Sequence, residues 1–447
     1  MKNFISTLQN IYRIEELRNR IGLTLILLLV FRFGSYVALP GVNSVCLSQS
    51  FSSSQGEGIL GFLNTFVGGG FSRGTIFALG IMPYISASII IQLLGAAIPS
   101  IQKLQKEGES GQKKINQYTR YATVLITIGQ STAFVTNLIG MYPTCINSQI
   151  PLFWISAVLI LTGGTLFLVW LGERITDNGL GNGISLIIMI GIISELPGSL
   201  INEARSTSSI LFFFIEIIAM AVVMMAVIAL TQATRKIPVN YARRMVGNKM
   251  MGGMTNTARQ YIPLKVNASG VMPIIFAQAI MFIPATVFQF FPESSLSATA
   301  GTWFTDFTGV FYNLTFALLI IVFTYFYTAI AVNPNDIADQ LKRNGGFIPG
   351  VKPGKKTSEF IDTILSRITL PGSIFLAMVA IMPAIATVLG VSSSFSQFFG
   401  GTSLLIMIGV VLDTLQQVES YLLMRHYDGL MKTGRIKGRQ SQVGVMA

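Results

Sequence analysis

The chain has 447 residues, of which 51% are hydrophobic and only 11% are charged. Soluble globular proteins carry roughly 25% charged residues, so this composition excludes an ordinary water-soluble surface. The net charge of +12 favours contact with anionic surfaces, and the positions of the basic residues decide what it means.

Ten apolar runs, bounded by charged or turn residues, are predicted to cross a bilayer as helices of about 20 residues each. The first contains Arg32 and lacks a small-residue cleavage site, so we expect a retained span rather than a removable signal peptide. The sixth and eighth are expected to face lipid, and the short fifth and the polar tenth to lie in the interior. The spans are Ile21–Leu39, Ile76–Ile98, Tyr121–Met141, Pro151–Gly172, Gly183–Pro197, Ile210–Thr231, Val271–Phe291, Val310–Val332, Leu370–Gly390 and Thr402–Leu423.

The basic residues test this count, because Lys and Arg in short loops are retained in the cytoplasm. All 31 of them except Arg32, Arg73 and Arg205 fall at the termini or in alternate loops on one side. We therefore predict that both termini are cytoplasmic. Five spans per half match the arithmetic of an inverted repeat. The predicted order is an N-terminus at 1–20, a first half at 21–198, a hinge connection at 199–209, a second half at 210–423 and a tail at 424–447.

Between the first two spans, residues 58–73 form an apolar segment that ends in Gly68, Gly69 and Gly70. The segment is too short to cross a bilayer and too apolar for an ordinary loop. One interpretation is an interfacial or re-entrant segment that simply packs. The other is a movable stopper: a short helix with Leu63, Phe66 and Val67 on its apolar face, tethered by the glycines.

Two loops carry much of the basic charge. Loop 233–270 has seven basic and no acidic residues, which fits topogenic retention and also a dock for RNA phosphate or an acidic protein surface. Loop 333–369 mixes both charges, and its stretch 349–354 is predicted to form a rigid double turn that projects Lys352. The predicted docking residues are Arg243, Arg244, Lys249, Lys342, Arg343, Lys352, Lys355 and Lys356.

Catalysis finds little support in the sequence. His426 is the one histidine, no Cys or His spacing suits a metal, and no nucleotide-binding motif is present, so we expect a non-enzyme without cofactor. Glu216 and Asp413 are the main intramembrane ionisable residues, serving either as structural contacts or as coupling sites of a secondary transporter for a small solute. Cys46 and Cys145 both fall in loops predicted outside the cytoplasm and are candidates for a disulfide.

Six stretches resemble the SecY family, the pore subunit of the bacterial protein-conducting channel, and the resemblance extends over nearly the whole chain. The stretches are Ala78–Gln92, Lys106–Gly111, Trp170–Glu173, Gly181–Ser185, Pro263–Asn267 and Gly400–Ile406.

The resemblance implies an all-α membrane protein in which two inverted five-helix halves form a clamshell around an hourglass pore. It also implies that unfolded secretory proteins cross through the pore and that membrane segments leave sideways through a gate. An apolar ring binds no ion well and tends to dewet, which suits the constriction. The implied ring is Ile81, Ile85, Ile187, Ile275 and Ile406; the implied plug includes Phe62, Leu63, Phe66, Val67, Gly68, Gly69 and Gly70; and the gate residues are Gln92 and Gln130.

The resemblance further implies a bacterial plasma membrane location and a set of partners. These are SecE-like and SecG-like small subunits, the SecA motor, the translating ribosome, precursors with signal sequences, a YidC-like insertase and anionic lipids. The chain departs from the family at Lys352, where the loop tip usually has Arg, and at Asn248 and Lys249, where paired Arg is frequent. Lysine keeps the charge but loses the planar bidentate fork, which affects contacts with SecA or the ribosome.

Overall fold

The computed structural model describes residues 14–53, 59–146, 153–206, 210–241, 245–246, 249–250, 260–290, 306 and 308–433. A helix lies in each of the ten predicted spans. Seven helical stretches in these ranges are long and apolar enough to cross a membrane, and two shorter apolar helices belong to the second and seventh spans. The span helices are α1 (Glu15–Gly34), α4 (Met82–Ala97), α6 (Glu109–Met141), α7 (Phe153–Asn178), α8 (Gly183–Ser206), α9 (Ile210–Gln232), α10 (Met272–Phe290), α11 (Val310–Ala331), α13 (Lys355–Val388) and α15 (Gly401–Thr433).

Shorter helices lie between the spans. They are α2 (Ser44–Ser53), α3 (Ile59–Val67), α5 (Pro99–Lys106), α12 (Pro334–Arg343) and α14 (Ser393–Ser396). Helix α3 lies in segment 58–73, where one interpretation of the sequence was a short helix.

The second span begins later than predicted. Residues 76–81 form turns, and α4 starts only at Met82, with Pro83 in its first turn. Gly80 has φ +56°, a conformation that side chains with a Cβ rarely adopt, so the chain turns sharply before the helix. Proline in the first helical turn loses no hydrogen bond. The helix therefore starts beside Ile81, deep among the other spans.

The prediction of a hinge connection at 199–209 is wrong in its extent. Helix α8 continues through Pro197 to Ser206, so most of that stretch is helical. Proline removes one intrahelical hydrogen bond, and membrane helices tolerate this because neighbouring groups satisfy the freed carbonyl. Residues 207–209 lie outside the described residues.

The two predicted halves meet through several helix pairs. Helix α8 packs against α9, α14 and α15, and α4 packs against α10. One large cluster of buried apolar side chains has members from both halves, among them Ile187 and Phe31 from the first and Ile274 and Ile406 from the second. The interior is therefore shared across the line where the halves meet.

The helices differ in burial as their compositions predict. Helix α9, the sixth span, buries only Glu216 and Val227 of its own residues, and apolar side chains such as Ile210 are exposed. In α15, by contrast, the consecutive residues 402–406 are all buried. A helix that is buried all round must lie inside a bundle. The expected lipid-facing sixth span is confirmed, and the tenth span is interior over its first part only, since Asp413, Gln416, Gln417 and Glu419 are exposed.

The loops around α12 fold into a small platform with strands that the sequence analysis did not include. Strand β1 (Thr234–Tyr241) pairs antiparallel with β4 (Gln260–Lys265) and with β5 (Gly346–Phe347), and β2 (Met245–Val246) pairs with β3 (Lys249–Met250). Ile237 and Val239 are buried while the residues between and beside them are exposed, which is the alternation of a half-buried strand. They pack with Leu341, Ile348 and Ile361 in one apolar core that joins both loops.

Candidate functional site

Three of the five predicted ring residues converge around one small void. Ile81 precedes α4, Ile85 lies one turn later, and Ile187 lies in the first turns of α8. The void has a volume of about 10 Å³, room for at most one water molecule. Apolar residues and one glycine line it: Phe31, Phe66, Val67, Gly80, Ile81, Met82, Ile85, Leu168, Ile187 and Ile188.

The other two ring residues come from the second half. Ile406 is 2% exposed, and Ile275 packs, partly buried, against the same apolar cluster as Ile81 and Ile187. Neither lines the small void. The structure therefore brings all five into one apolar cluster, with three of them around the void and two on its second-half side.

Helix α3 forms part of the wall of this void. Phe66 and Val67, at its end, are both buried and both line it. The chain then turns through Gly68 and Gly69, whose φ angles of +68° and +80° favour glycine. The side chains of Phe62 and Leu63 lie outside the described residues.

The end of α3 fits a notch in α8 that needs a glycine. A Cβ added at Gly191 would lie 2.5 Å from the backbone oxygen of Phe66, so no larger residue fits without moving the backbone. On the other side, Thr65 Oγ1 donates a hydrogen bond of 2.7 Å to Gln397 Oε1, between α14 and α15. The segment thus contacts both halves.

A second opening lies between α4 and α6 on one side and α10 and α11 on the other. Tyr327 Oη donates a 3.1 Å hydrogen bond to Gln92 Oε1 across it, and the ring of Phe276 meets that of Tyr327 edge to face at 5.4 Å. We call this the lateral seam. It contains a cavity of about 500 Å³ lined by Tyr84, Ser88, Ile91, Gln92, Gly95, Gln102, Gln112, Ile115, Asn116, Thr119, Phe276, Phe326, Tyr327 and Ile330.

The two predicted gate residues differ in position. Gln92 lies in the seam and bonds across it, whereas Gln130, on α6, is outside the described lining of the cavity. Sequence reasoning missed Tyr327, although a hydroxyl within an apolar run is a polar group that needs a partner inside the membrane.

The described docking residues lie exposed on the platform. Lys352 stands at the tip between Gly350 and Gly354, with φ angles of +83° and +98°, as the predicted double turn requires. Lys342, Arg343, Lys355 and Lys356 are also exposed.

Lys356 Nζ donates to Glu359 Oε2 at 2.9 Å, and this bond lowers the pKa of the Glu359 carboxyl. Arg243 and Arg244 lie outside the described residues, as does the side chain of Lys249 in β3.

Cys46 and Cys145 form a disulfide, with their Cα atoms 5.5 Å apart. The bond joins α2, just before α3 in the chain, to the short turn after α6. A disulfide restricts the unfolded chain and typically stabilises a fold by about 2–4 kcal/mol. The candidate pairing from the sequence is thus formed, and it ties the segment that leads into α3 to the first half.

Comparisons with known proteins agree over nearly the whole chain. The SecY family profile matches residues 75–415. The protein translocase subunit SecY of Mycobacterium tuberculosis (strain ATCC 25618 / H37Rv) is 40% identical over 449 residues, covering 96% of this chain and 99% of the relative. That of Streptomyces griseus is 42% identical over 438 residues, covering 94% and 98%.

Solved structures share the fold. A structure described as a protein-conducting channel matches with a TM-score of 0.63 and 15% identity over 94% of this chain and 95% of its own. A SecY whose plug domain is described as stabilising the closed state and maintaining a membrane seal matches with a TM-score of 0.64 and 17% identity, over the same shares of both chains. Sec61 in the canine ribosome-channel complex matches with a TM-score of 0.59 and 15% identity, again over 94% of this chain and 95% of its own.

Proposed function

Because the chain belongs to the SecY family and is a protein-conducting channel subunit of the translocase, we propose that its apolar ring, its plug and its lateral seam divide two routes for a polypeptide. One route crosses the membrane and the other leads sideways into lipid. The single observation that carries the proposal is the convergence of Ile81, Ile85 and Ile187 with Phe66 and Val67 around one small void. The comparisons support a protein-conducting channel and give no support to a small-solute transporter.

The axial route is closed at the ring by apolar packing. A narrow ring of aliphatic side chains holds neither ions nor water well, and it can widen around a chain of any sequence without retaining it. We assign Ile81, Ile85, Ile187, Ile275 and Ile406 to this ring. The segment 58–73 is the plug that fills the space beside the ring in the resting channel.

The lateral route follows the seam. Its walls carry amides and hydroxyls that water or polypeptide backbone can bond in place of the Gln92–Tyr327 contact. A segment that is apolar enough gains free energy by moving from this polar cavity into lipid. We propose Gln92 as a seam residue, and Gln130 as a residue that meets the passing segment on the α6 side.

Partners supply the energy and the substrate. We propose that the platform residues Arg243, Arg244, Lys249, Lys342, Arg343, Lys352, Lys355 and Lys356 contact the ribosome or a SecA motor in the cytoplasm. Small SecE-like and SecG-like subunits, a YidC-like protein and anionic lipids complete the expected surroundings. The likeness to a Sec61 described in a ribosome-channel complex supports the ribosome as a partner.

The chain is a multi-pass protein of the bacterial inner membrane. We propose that both termini are cytoplasmic, on the distribution of basic residues, and that the two halves at 21–198 and 210–423 hinge where α8 meets α9. We also propose that the chain itself is not an enzyme.

Reconstitution tests the proposed partners. The purified chain, in vesicles with a SecE-like subunit and SecA with ATP, should carry a secretory precursor into a protease-protected lumen. The same precursor with a scrambled signal sequence is the matched control and should remain digestible. Protection of both precursors, or of neither, with active SecA present would contradict the proposal.

A further inference from the structure

Four polar side chains surround the glycine turn that follows the plug helix, and the proposed routes make no use of them. Arg32 lies near the end of α1, Tyr36 just after it, Arg73 just after the plug turn and Glu195 within α8. Arg32 and Arg73 are two of the three basic residues outside the basic loops and termini. Positive-inside retention therefore does not explain them.

The two arginines share one aromatic ring. The Cζ atom of Arg32 lies 4.8 Å from the Tyr36 ring centroid, and that of Arg73 lies 4.6 Å from it. Arg32 Nη2 also donates a 2.8 Å hydrogen bond to the Tyr36 hydroxyl. A guanidinium over an aromatic face is attracted by the ring's quadrupole. Tyr36 thus holds two like charges close together, and a nearby counter-charge would offset their repulsion.

Glu195 supplies that counter-charge. Its Oε1 lies 3.9 Å from Arg73 Nη2, and the two side chains are 25% and 29% exposed. A Cβ added at Gly69 would collide with the same Glu195 oxygen, so the plug turn lies directly against this ion pair. Partial burial makes such a pair less screened than one on an open surface.

The cluster also bonds the plug itself. Arg32 Nη1 donates to the backbone oxygen of Gly68 at 3.0 Å. The notch at Gly191 receives the end of the plug helix on the same face of α8 as Ser194, which abuts Gly68. All of these contacts come from the first half. Toward the second half, Thr65 donates a hydrogen bond to Gln397.

We propose that Arg32, Tyr36, Arg73 and Glu195 form a plug latch that fastens the plug turn to the first half of the channel. When the halves part, the Thr65–Gln397 bond breaks and the plug moves with α1 and α8. The latch sets how readily the resting channel leaks. This inference rests on the proposed role of residues 58–73 as the plug.

Charge exchange tests the latch. Arg73→Glu and Glu195→Arg, each alone, should raise the resting ion conductance of the reconstituted channel by about tenfold, the range expected for losing one charge-assisted contact. The double exchange should return conductance toward that of the unaltered chain, since it restores opposite charges. Arg205→Gln is the matched control, because Arg205 is the third such basic residue and is exposed at the end of α8.

Glu195→Gln protects the test against misfolding, because it removes the charge at constant shape and should leak as well. Single variants as tight as the control, or a double exchange as leaky as the single ones, would overturn the latch. Ile406→Gly in the same bilayers separates the two proposals. If Ile406→Gly leaks while the latch variants stay tight, the latch is wrong and the ring proposal stands. If Ile406→Gly does not leak, the ring proposal is contradicted.

The direction of plug movement gives a second measurement. The background is a chain whose Cys46 and Cys145 are replaced by Ser. One sample carries spin labels on Ser72→Cys and on α8, and a second carries them on Ser72→Cys and on α15. The distance between the two labels is measured in each sample before and after a stalled precursor is added. The distance to α8 should stay constant and the distance to α15 should grow. A constant distance to α15 with a growing distance to α8 would overturn the proposal.

Discussion

The proposed axial constriction and the lateral seam are closed in opposite ways. Around the constriction, Ile81, Ile187 and Phe66 leave a void of about 10 Å³ with an apolar lining. In the seam, amides and hydroxyls line a cavity of about 500 Å³, bridged by the hydrogen bond between Gln92 and Tyr327.

The contrast fits what each proposed closure has to do. An axial seal must exclude ions and re-form after any sequence has passed, and non-directional packing of aliphatic side chains does both. A lateral seal must part for an apolar helix and stay shut to lipid otherwise. A few directional bonds suit that role, because an incoming segment or water replaces them at small net cost.

The largest effect should come from the axial side. Ile406→Gly removes a side chain that is 2% exposed, and truncation of a buried Ile typically costs about 2–5 kcal/mol of packing. We expect a resting conductance raised by more than about tenfold, measured in planar bilayers. Ile218→Gly on α9, where the side chain is 63% exposed, is the matched control and should stay tight. Equal conductance in both variants would contradict the assignment of Ile406 to the ring, because a lipid-facing residue would then matter as much.

A smaller leak should follow from Gly191→Ala. The added Cβ meets the backbone oxygen of Phe66 at 2.5 Å, so the plug helix has to shift, while the ring residues stay in place. Gly198→Ala on the same helix is the control, since a Cβ there meets nothing within 4 Å. A tight Gly191→Ala channel would show that the plug adds nothing to the seal of the ring.

On the lateral side, Tyr327→Phe removes the hydroxyl that bonds Gln92 and keeps the ring against Phe276. Loss of one such hydrogen bond, about 1 kcal/mol, should favour the open seam roughly fivefold. The measurement is the fraction of a marginally apolar segment that enters lipid, which should rise while resting conductance stays unchanged. Tyr325→Phe is the control, because its hydroxyl faces Ser366 within the second half. A leak in Tyr327→Phe would mean that seam and constriction are not separate closures.

The smallest effect should come from the platform, remote from both closures. Lys352→Glu reverses an exposed charge at the loop tip and should slow translocation several-fold by weakening partner docking, more at low than at high salt. The amount of chain in the membrane should not change. Lys352→Arg should preserve or raise the rate, because the guanidinium adds a bidentate fork. Loss of the chain from the membrane would instead assign Lys352 a topogenic role.

Much of the helical framework follows from the sequence because apolar runs of span length have few other structures available in lipid. The short helix α3 was also foreseeable, from an apolar segment that ends in glycines. The late start of α4 was not, since it depends on the turn at Gly80. Strand β1 was missed, although Ile237 and Val239 alternate with exposed residues.

The site was less predictable than the framework. An isoleucine in a membrane helix has no feature that separates pore lining from packing, and only the resemblance singled out the ring. The partnership of Gln92 with Tyr327 joins residues far apart in the chain, as does that of Arg73 with Glu195. Such pairs depend on how helices from different parts of the chain are placed, which local pattern does not encode.

The most direct test asks what a passing polypeptide touches. A precursor stalled in the reconstituted channel, carrying one cysteine at mid-chain, can be oxidised against Ile85→Cys, Ile406→Cys or the lipid-facing Leu211→Cys, each in a chain whose Cys46 and Cys145 are replaced by Ser. We expect cross-links at positions 85 and 406 and none at 211. Cross-links at 211 with none at 85 and 406 would contradict a route through the ring.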